Sequence, residues 1–280
     1  MERGKTLICD GFAFIEGPRW YGGALWFSDM YDEAVYRVVP GTAPERVVAV
    51  PQQPSGLGWL PNGDLLIASM LDRQVLRYTG SKALLPYADL SAIAERRIND
   101  MLVDSQGRAW VGNFGFDLSE GEAVLPGTLA RIDINGSVHA AAGDLLFANG
   151  MTLLNGGSVL VVAETYKGCL TAFDISSTSE LINRRIWAVL PEGAVPDGIC
   201  ADTEGAIWAA SPTTGSVLRL REGGAVLDSI ETGRQAIACA LGGPEGDTLF
   251  ISSAVATKRQ ACRDALTSRI DAYRVSVPVA

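Results

Sequence analysis

Histidine is almost missing from this chain: there is one, His139, in 280 residues. A Ser-His-Asp hydrolase would have to use that residue as its base, and a His-rich zinc site of the metalloprotease kind cannot be built. Hydrolytic chemistry would have to rest on carboxylates, amides, lysine or a hard metal. Basic surplus is also missing. Lys+Arg 23 against Asp+Glu 32 leaves a formal charge of −9, the wrong sign for a nucleic-acid or anionic-membrane binder. No stretch approaches the roughly 18 apolar residues of a membrane span. Asp10 and Glu16 interrupt what would be a signal-peptide core after Met1-Glu2-Arg3-Gly4-Lys5. The five cysteines (Cys9, Cys169, Cys200, Cys239, Cys262) are dispersed and contain no CxxC. They read as reduced core filler in a cytoplasmic protein. Helical periodicity is scarce too; only Leu90 to Arg97 has helical character.

What the chain has is an internal repeat. A Gly-containing turn followed by an apolar pair occurs as Gly23-Ala24-Leu25-Trp26-Phe27 and returns five times, ending with Gly246-Asp247-Thr248-Leu249-Phe250. The second member of the pair falls at 26, 66, 110, 160, 208 and 250, with spacings of 40, 44, 50, 48 and 42. Each unit carries a further β-like run, from Ala34-Val35-Tyr36-Arg37-Val38 in the first to Arg269-Ile270-Asp271-Ala272-Tyr273 in the last. Six units of this size predict an all-β chain, a six-bladed β-propeller occupying residues 1–280 as a single domain. The last unit is one strand short. Lys5-Thr6-Leu7-Ile8-Cys9 precedes the first and is expected to complete blade six and close the ring.

Ten or eleven residues before each repeat phrase, where an innermost strand should start, one slot reads Glu16, Ser55, Asn99, Asn149, Asp197 and then Ala238 or Cys239. Equivalent slots on the inner strands of a ring converge on its axis. Glu16, Asn99, Asn149 and Asp197 would then form a cage of hard oxygen donors, suited to Ca²⁺, Mg²⁺ or Mn²⁺ rather than to a thiolate metal. Taken singly, Asn-Gly and Asp-Gly are ordinary turn dipeptides. The recurrence at one repeat position is what favours a metal site.

In this order and spacing, Glu16-Gly17-Pro18-Arg19-Trp20, Leu25-Trp26-Phe27-Ser28-Asp29, Arg97-Ile98-Asn99-Asp100, Val103-Asp104-Ser105-Gln106-Gly107-Arg108, Asn149-Gly150-Met151 and Pro196-Asp197-Gly198-Ile199-Cys200-Ala201-Asp202 resemble the regucalcin and gluconolactonase (SMP-30) family of six-bladed propellers over the whole chain. The resemblance implies one divalent metal, calcium first with zinc, magnesium or manganese as alternatives, held by Glu16, Asn149 and Asp197. It implies substrate contacts from Arg97 and Asn99, with Asn99 an optional fourth ligand. It also implies lactone hydrolysis, with the metal as Lewis acid and Asp197 as general base; a metal-bound hydroxide would serve the same chemistry. The loop Gly112-Asn113-Phe114-Gly115-Phe116-Asp117 departs from the animal members, which carry an acidic substrate contact there. Phe12, Phe14, Phe114, Phe116 and Phe147 flank the channel motifs; they read first as core packing between blades, with an apolar lid over the metal, suited to a hydrophobic lactone or ester, as the alternative. Lys167 and Arg234 are candidates for the channel mouth, and His139 is expected at the surface. The partner expected is a small lactone, with no nucleic acid or membrane, on a monomer or weak homo-oligomer. Two alternatives stay open: a metal-dependent hydrolase of another ester or a phosphotriester, and a non-catalytic calcium-binding propeller.

Overall fold

The computed structural model describes residues 4–80, 83–117 and 121–279; Met1, Glu2 and Arg3 of the charged N-terminal segment lie outside them. The described strands form six four-stranded antiparallel sheets. The repeat phrase falls on the second strand of each: Ala24–Asp29, Leu65–Ser69, Ala109–Asn113, Val159–Glu164, Ile207–Ser211 and Thr248–Ala254. The innermost strands are Ile15–Tyr21, Pro54–Trp59, Ile98–Val103, Ala148–Leu154, Ile199–Ala201 and Gln235–Gly242. Each lies against the next around the ring, and the sixth lies against the first. This is the predicted six-bladed propeller. The apolar pairs supply the packing between blades: of the positions 26, 66, 110, 160, 208 and 250, Leu66, Trp110, Leu160, Trp208 and Phe250 are buried, while in blade one Trp26 is only partly buried and its neighbours Leu25 and Phe27 take the core positions.

The N-terminal strand closes the ring. Lys5–Phe12 is the outermost strand of blade six and pairs antiparallel with Ser268–Arg274, Lys5 opposite Tyr273 and Phe12 opposite Ser268. Without it the backbone edge of Ser268–Arg274 would be open.

Several sequence motifs turn out to fix turns. Asp104 accepts from the backbone N–H groups of Gln106 (2.9 Å) and Arg108 (3.0 Å), and Arg108 Nε donates to it at 2.7 Å. Asp202 repeats the arrangement with Glu204, Ala206 and Arg219. In both, a buried carboxylate satisfies the hairpin backbone. The stretch Leu90 to Arg97 forms turns rather than a helix. Among the described residues the one α-helix is Arg259–Ala265, in the long connection between the second and third strands of blade six.

Candidate active site

A break in pairing aims the slot residues. In five blades the register between the innermost strand and its neighbour shifts at or just beyond the slot: between Glu16 and Arg19, Pro54 and Leu57, Ile98 and Met101, Ala148 and Met151, and Ala236 and Ala238. A bulge of this kind bends the strand and redirects its side chains. Asp197 lies just ahead of its strand, held by Asp197 N–H donating to Ala210 O at 2.9 Å. The glycine after the slot allows close approach at the axis. A Cβ on Gly56 would lie 2.1 Å from Met101 N, and one on Gly150 would lie 2.5 Å from Ile199 N. In blade three the corresponding residue is Asp100, whose carboxylate instead takes Arg19 from blade one at 2.8 Å.

The structure brings Glu16, Asn99, Asn149 and Asp197 together on the lining of one cavity of about 870 Å³. All four are buried. Asn149 Nδ2 donates to Thr165 Oγ1 (3.2 Å), and Thr165 Oγ1 donates to Pro196 O (2.9 Å). Asn99 Nδ2 donates to Ala148 O and its Oδ1 accepts from Ser55 Oγ, both at 3.4 Å. With their nitrogens engaged by the scaffold, the two amides are positioned to offer oxygen.

The two carboxylates are under electrostatic stress. Burial, followed by the charges of Asp197 and Asp100, pushes Glu16 well above the ordinary carboxylate range; the Gly17 N–H and Arg19 oppose this only weakly. Burial also pushes Asp197 up to about 8, with the charge of Asp100 adding to it and the Asn149 amide pulling the other way. Asp197 Oδ1 is buried with no hydrogen-bond partner, a costly condition for an isolated oxygen. Among the described residues no three His, Cys, Asp or Glu side chains form a metal cluster, so any cation here would need the amide oxygens beside the two carboxylates. The residues fit a hard divalent ion: oxygen donors only, two of them carboxylates, one with an unused lone pair.

Around the cage, Arg97 lines the cavity and is oriented from two sides. It pairs with Asp117 at 3.1 Å, and its guanidinium lies 5.7 Å from the Phe114 ring centroid. Asp117 is thus the acid that the divergent loop contributes. Phe14, Phe114 and Phe147 line the cavity, with Phe114 and Phe147 stacked at 4.1 Å. Phe12 and Phe116 do not line it. Phe12 packs on Phe27 and Tyr36, and Phe116 is fully buried behind Phe147 and Tyr166. Lys167 and Arg234 are also absent from the mouth: Lys167 pairs with Glu164 at 3.4 Å, and Arg234 donates to Thr267 O at 2.5 Å. His139 is a half-exposed surface residue, 2.9 Å from Asp133.

Sequence reasoning missed the element that roofs the cavity. Thr257, Lys258 and Arg259, in the blade-six insertion, form part of its lining. Tyr31 Oη donates to Thr257 O at 2.9 Å, and Arg259 pairs with Glu33 at 2.5 Å. Cys262 is buried in the cluster containing Phe14, Met30, Phe114 and Phe147. A signal was there: blades three and six have the two longest intervals between their second and third strands, 113 to 127 and 254 to 268.

Fold and site together define a six-bladed propeller with a buried oxygen-donor cage on its axis. The chain belongs to the SMP-30/gluconolactonase/LRE-like family, whose model matches residues 14–255. It is 25% identical over 259 residues to a 6-deoxy-6-sulfogluconolactonase of Pseudomonas putida, covering 91% of this chain and 88% of that one. It is 28% identical over 177 residues to a regucalcin of Danio rerio, covering 62% and 59% of the two chains. Among solved structures it matches a luciferin-regenerating enzyme (TM-score 0.85, 19% identity, 99% and 97% coverage) and a gluconolactonase of Xanthomonas campestris (TM-score 0.76, 23% identity, 98% and 89%). Among the described residues no helix is long and apolar enough to cross a membrane.

Proposed function

We propose that this protein is a metal-dependent lactonase. The observation that carries the reading is the convergence of Glu16, Asn99, Asn149 and Asp197 on the cavity lining, with Asp197 Oδ1 buried and unpartnered. Glu16, Asn149 and Asp197 would hold one divalent ion, calcium by the hardness of the donors, with Asn99 available as a fourth ligand. When bound, the ion supplies Lewis-acid polarisation of the lactone carbonyl and favours the charged form of both carboxylates. Relatives named as lactonases, the P. putida protein and a pentonolactonase of Haloferax volcanii, support the reaction class.

The chain's own residues then act as follows. Asp197, ionised, takes a proton from the attacking water as the water oxygen bonds to the carbonyl carbon. The ring C–O bond breaks, and that proton passes to the departing oxygen, giving the hydroxy acid. Arg97, fixed between Asp117 and Phe114, presents its charge to substrate oxygen, and Asn99 positions it. Phe14, Met30, Met70, Leu71, Phe114 and Phe147 form an apolar wall, which favours a lactone with a hydrophobic substituent over a bare sugar lactone. A cation-storage role would require neither the cavity nor the oriented arginine.

The test is a panel of lactones alongside a phosphotriester, assayed with and without chelator. Lactone opening that chelator abolishes and metal restores supports the reading. A higher kcat/KM on the phosphotriester would move the protein to a different hydrolase class.

A further inference from the structure

The cavity has three zones of different chemistry. The first is the cage, with the carboxylates of Glu16 and Asp197. The second is the apolar wall contributed by blades one to four. The third is the roof, where Lys258 and Arg259 join the lining from blade six. Cations there are notable on a chain of net charge −9. Arg97 is matched by Asp117 and Arg259 by Glu33. Lys258 makes no ion pair with any described residue. Its neighbours are nonetheless engaged on both sides, since Thr257 O accepts from Tyr31 Oη and the Arg259 side chain pairs with Glu33. Lys258 O also accepts from Cys262 N–H at 3.0 Å, with the Cys262 side chain buried in the cluster below.

We propose that the blade-six insertion is a specificity element, in which Lys258 reads an anionic group at the far end of the lactone's substituent. This rests on the lactonase reading and narrows its substrate class to lactones whose apolar substituent ends in an acid, such as a carboxylate or sulfonate. The charge layout sets the orientation. With a divalent ion on its two carboxylates the cage carries no net charge, and Arg97 and Arg259 are matched by Asp117 and Glu33, so an acid finds unmatched positive charge at the roof, on the Lys258 ammonium. The lactone ring then lies at the cage and the apolar stem lies against the phenylalanines. Lys258 is exposed, so its attraction is screened by salt, and a single exposed pair changes affinity by about fivefold at most.

The experiment uses two γ-lactones with the same alkyl chain, one ending in a carboxylate and the other in its methyl ester. It also uses the matching pair of non-hydrolysable cyclic ethers. The kcat/KM ratio of acid to ester is measured at low and high salt for the wild type, Lys258→Ala and Lys258→Glu, and binding of the ethers is measured by calorimetry. The expected result is an acid preference of about fivefold in the wild type at low salt. It should shrink with salt, disappear in Lys258→Ala and invert in Lys258→Glu, and the ethers should show the same ordering. Equal ratios in all three proteins would overturn the role of Lys258 while leaving lactone hydrolysis standing. Lys258-dependent binding of the acidic ether with no lactone opened by any protein would keep the anion subsite and overturn the lactonase reading.

Discussion

In metal-free protein, raising the pH should destabilise the fold, and Asp197 supplies a part of the effect that can be worked out. In the folded, metal-free chain burial raises this carboxyl from 3.8 to about 8. In the unfolded chain it returns to the ordinary value. Between those two pH values the folded state holds a proton that the unfolded state has released. Stability therefore falls as pH rises through this window and levels off above about 8. At about 1.4 kcal/mol per pH unit, going from about pH 5.5 to pH 8 removes roughly 3 kcal/mol through Asp197 alone. Glu16, raised for the same reasons, adds to the same side. For a chain of this size that is a fall in Tm of roughly 5–10 °C. The assay is thermal unfolding in chelator across this range, repeated in excess calcium and with Asp197→Asn. On the proposed metal site calcium should flatten the slope by binding the ionised cage, and the amide should remove the part that Asp197 contributes, leaving that of Glu16. A metal-free Asp197→Asn protein with the wild-type slope would refute the reasoning.

Asp197→Asn, assayed at full metal occupancy, should keep its fold and lose about 10²–10⁴ in lactone turnover; a near-wild-type rate would transfer the base role elsewhere. Glu16→Gln should lose metal and activity together, with excess metal restoring part of the rate, and unchanged metal stoichiometry would count against the cage. Arg19→Leu strands the buried Asp100 carboxylate beside the cage and should cost about 3 kcal/mol in thermal or urea unfolding; a loss within about 0.5 kcal/mol, the range of a surface substitution, would mean that the pair contributes little. Deleting residues 1–10 opens the edge of Ser268–Arg274 and should make the protein aggregate. A soluble truncation with the original Tm would show that closure does not depend on this strand.

The ring was legible in the sequence because each blade spends its strongest apolar residues at one repeat position, from Trp26-Phe27 to Leu249-Phe250. The slot was legible for a related reason: a residue followed by glycine recurs where the inner strands crowd together, as at Gly56 and Gly150. What stayed hidden depends on contacts across the ring rather than along the chain. Asp100 looks like the neighbour of a slot residue, yet it meets Arg19 from two blades away. Phe116 and Phe114 are two residues apart; only the second faces the cavity, while the first packs beneath Phe147. The roof was hidden because nothing in Thr257-Lys258-Arg259 departs from a solvated loop until Tyr31 and Glu33 of blade one are seen to hold it.

The most direct measurement is a co-titration. Metal-free wild-type protein receives calcium in sub-stoichiometric steps, and bound metal and lactone hydrolysis are followed together in a pH-stat. Lactone hydrolysis should rise in proportion to bound metal and saturate at one ion per chain, and Glu16→Gln should follow a curve displaced to higher calcium. Full lactone hydrolysis by the metal-free protein, or one bound ion with no hydrolysis of any lactone tested, would contradict the assignment of the channel cage as the catalytic centre.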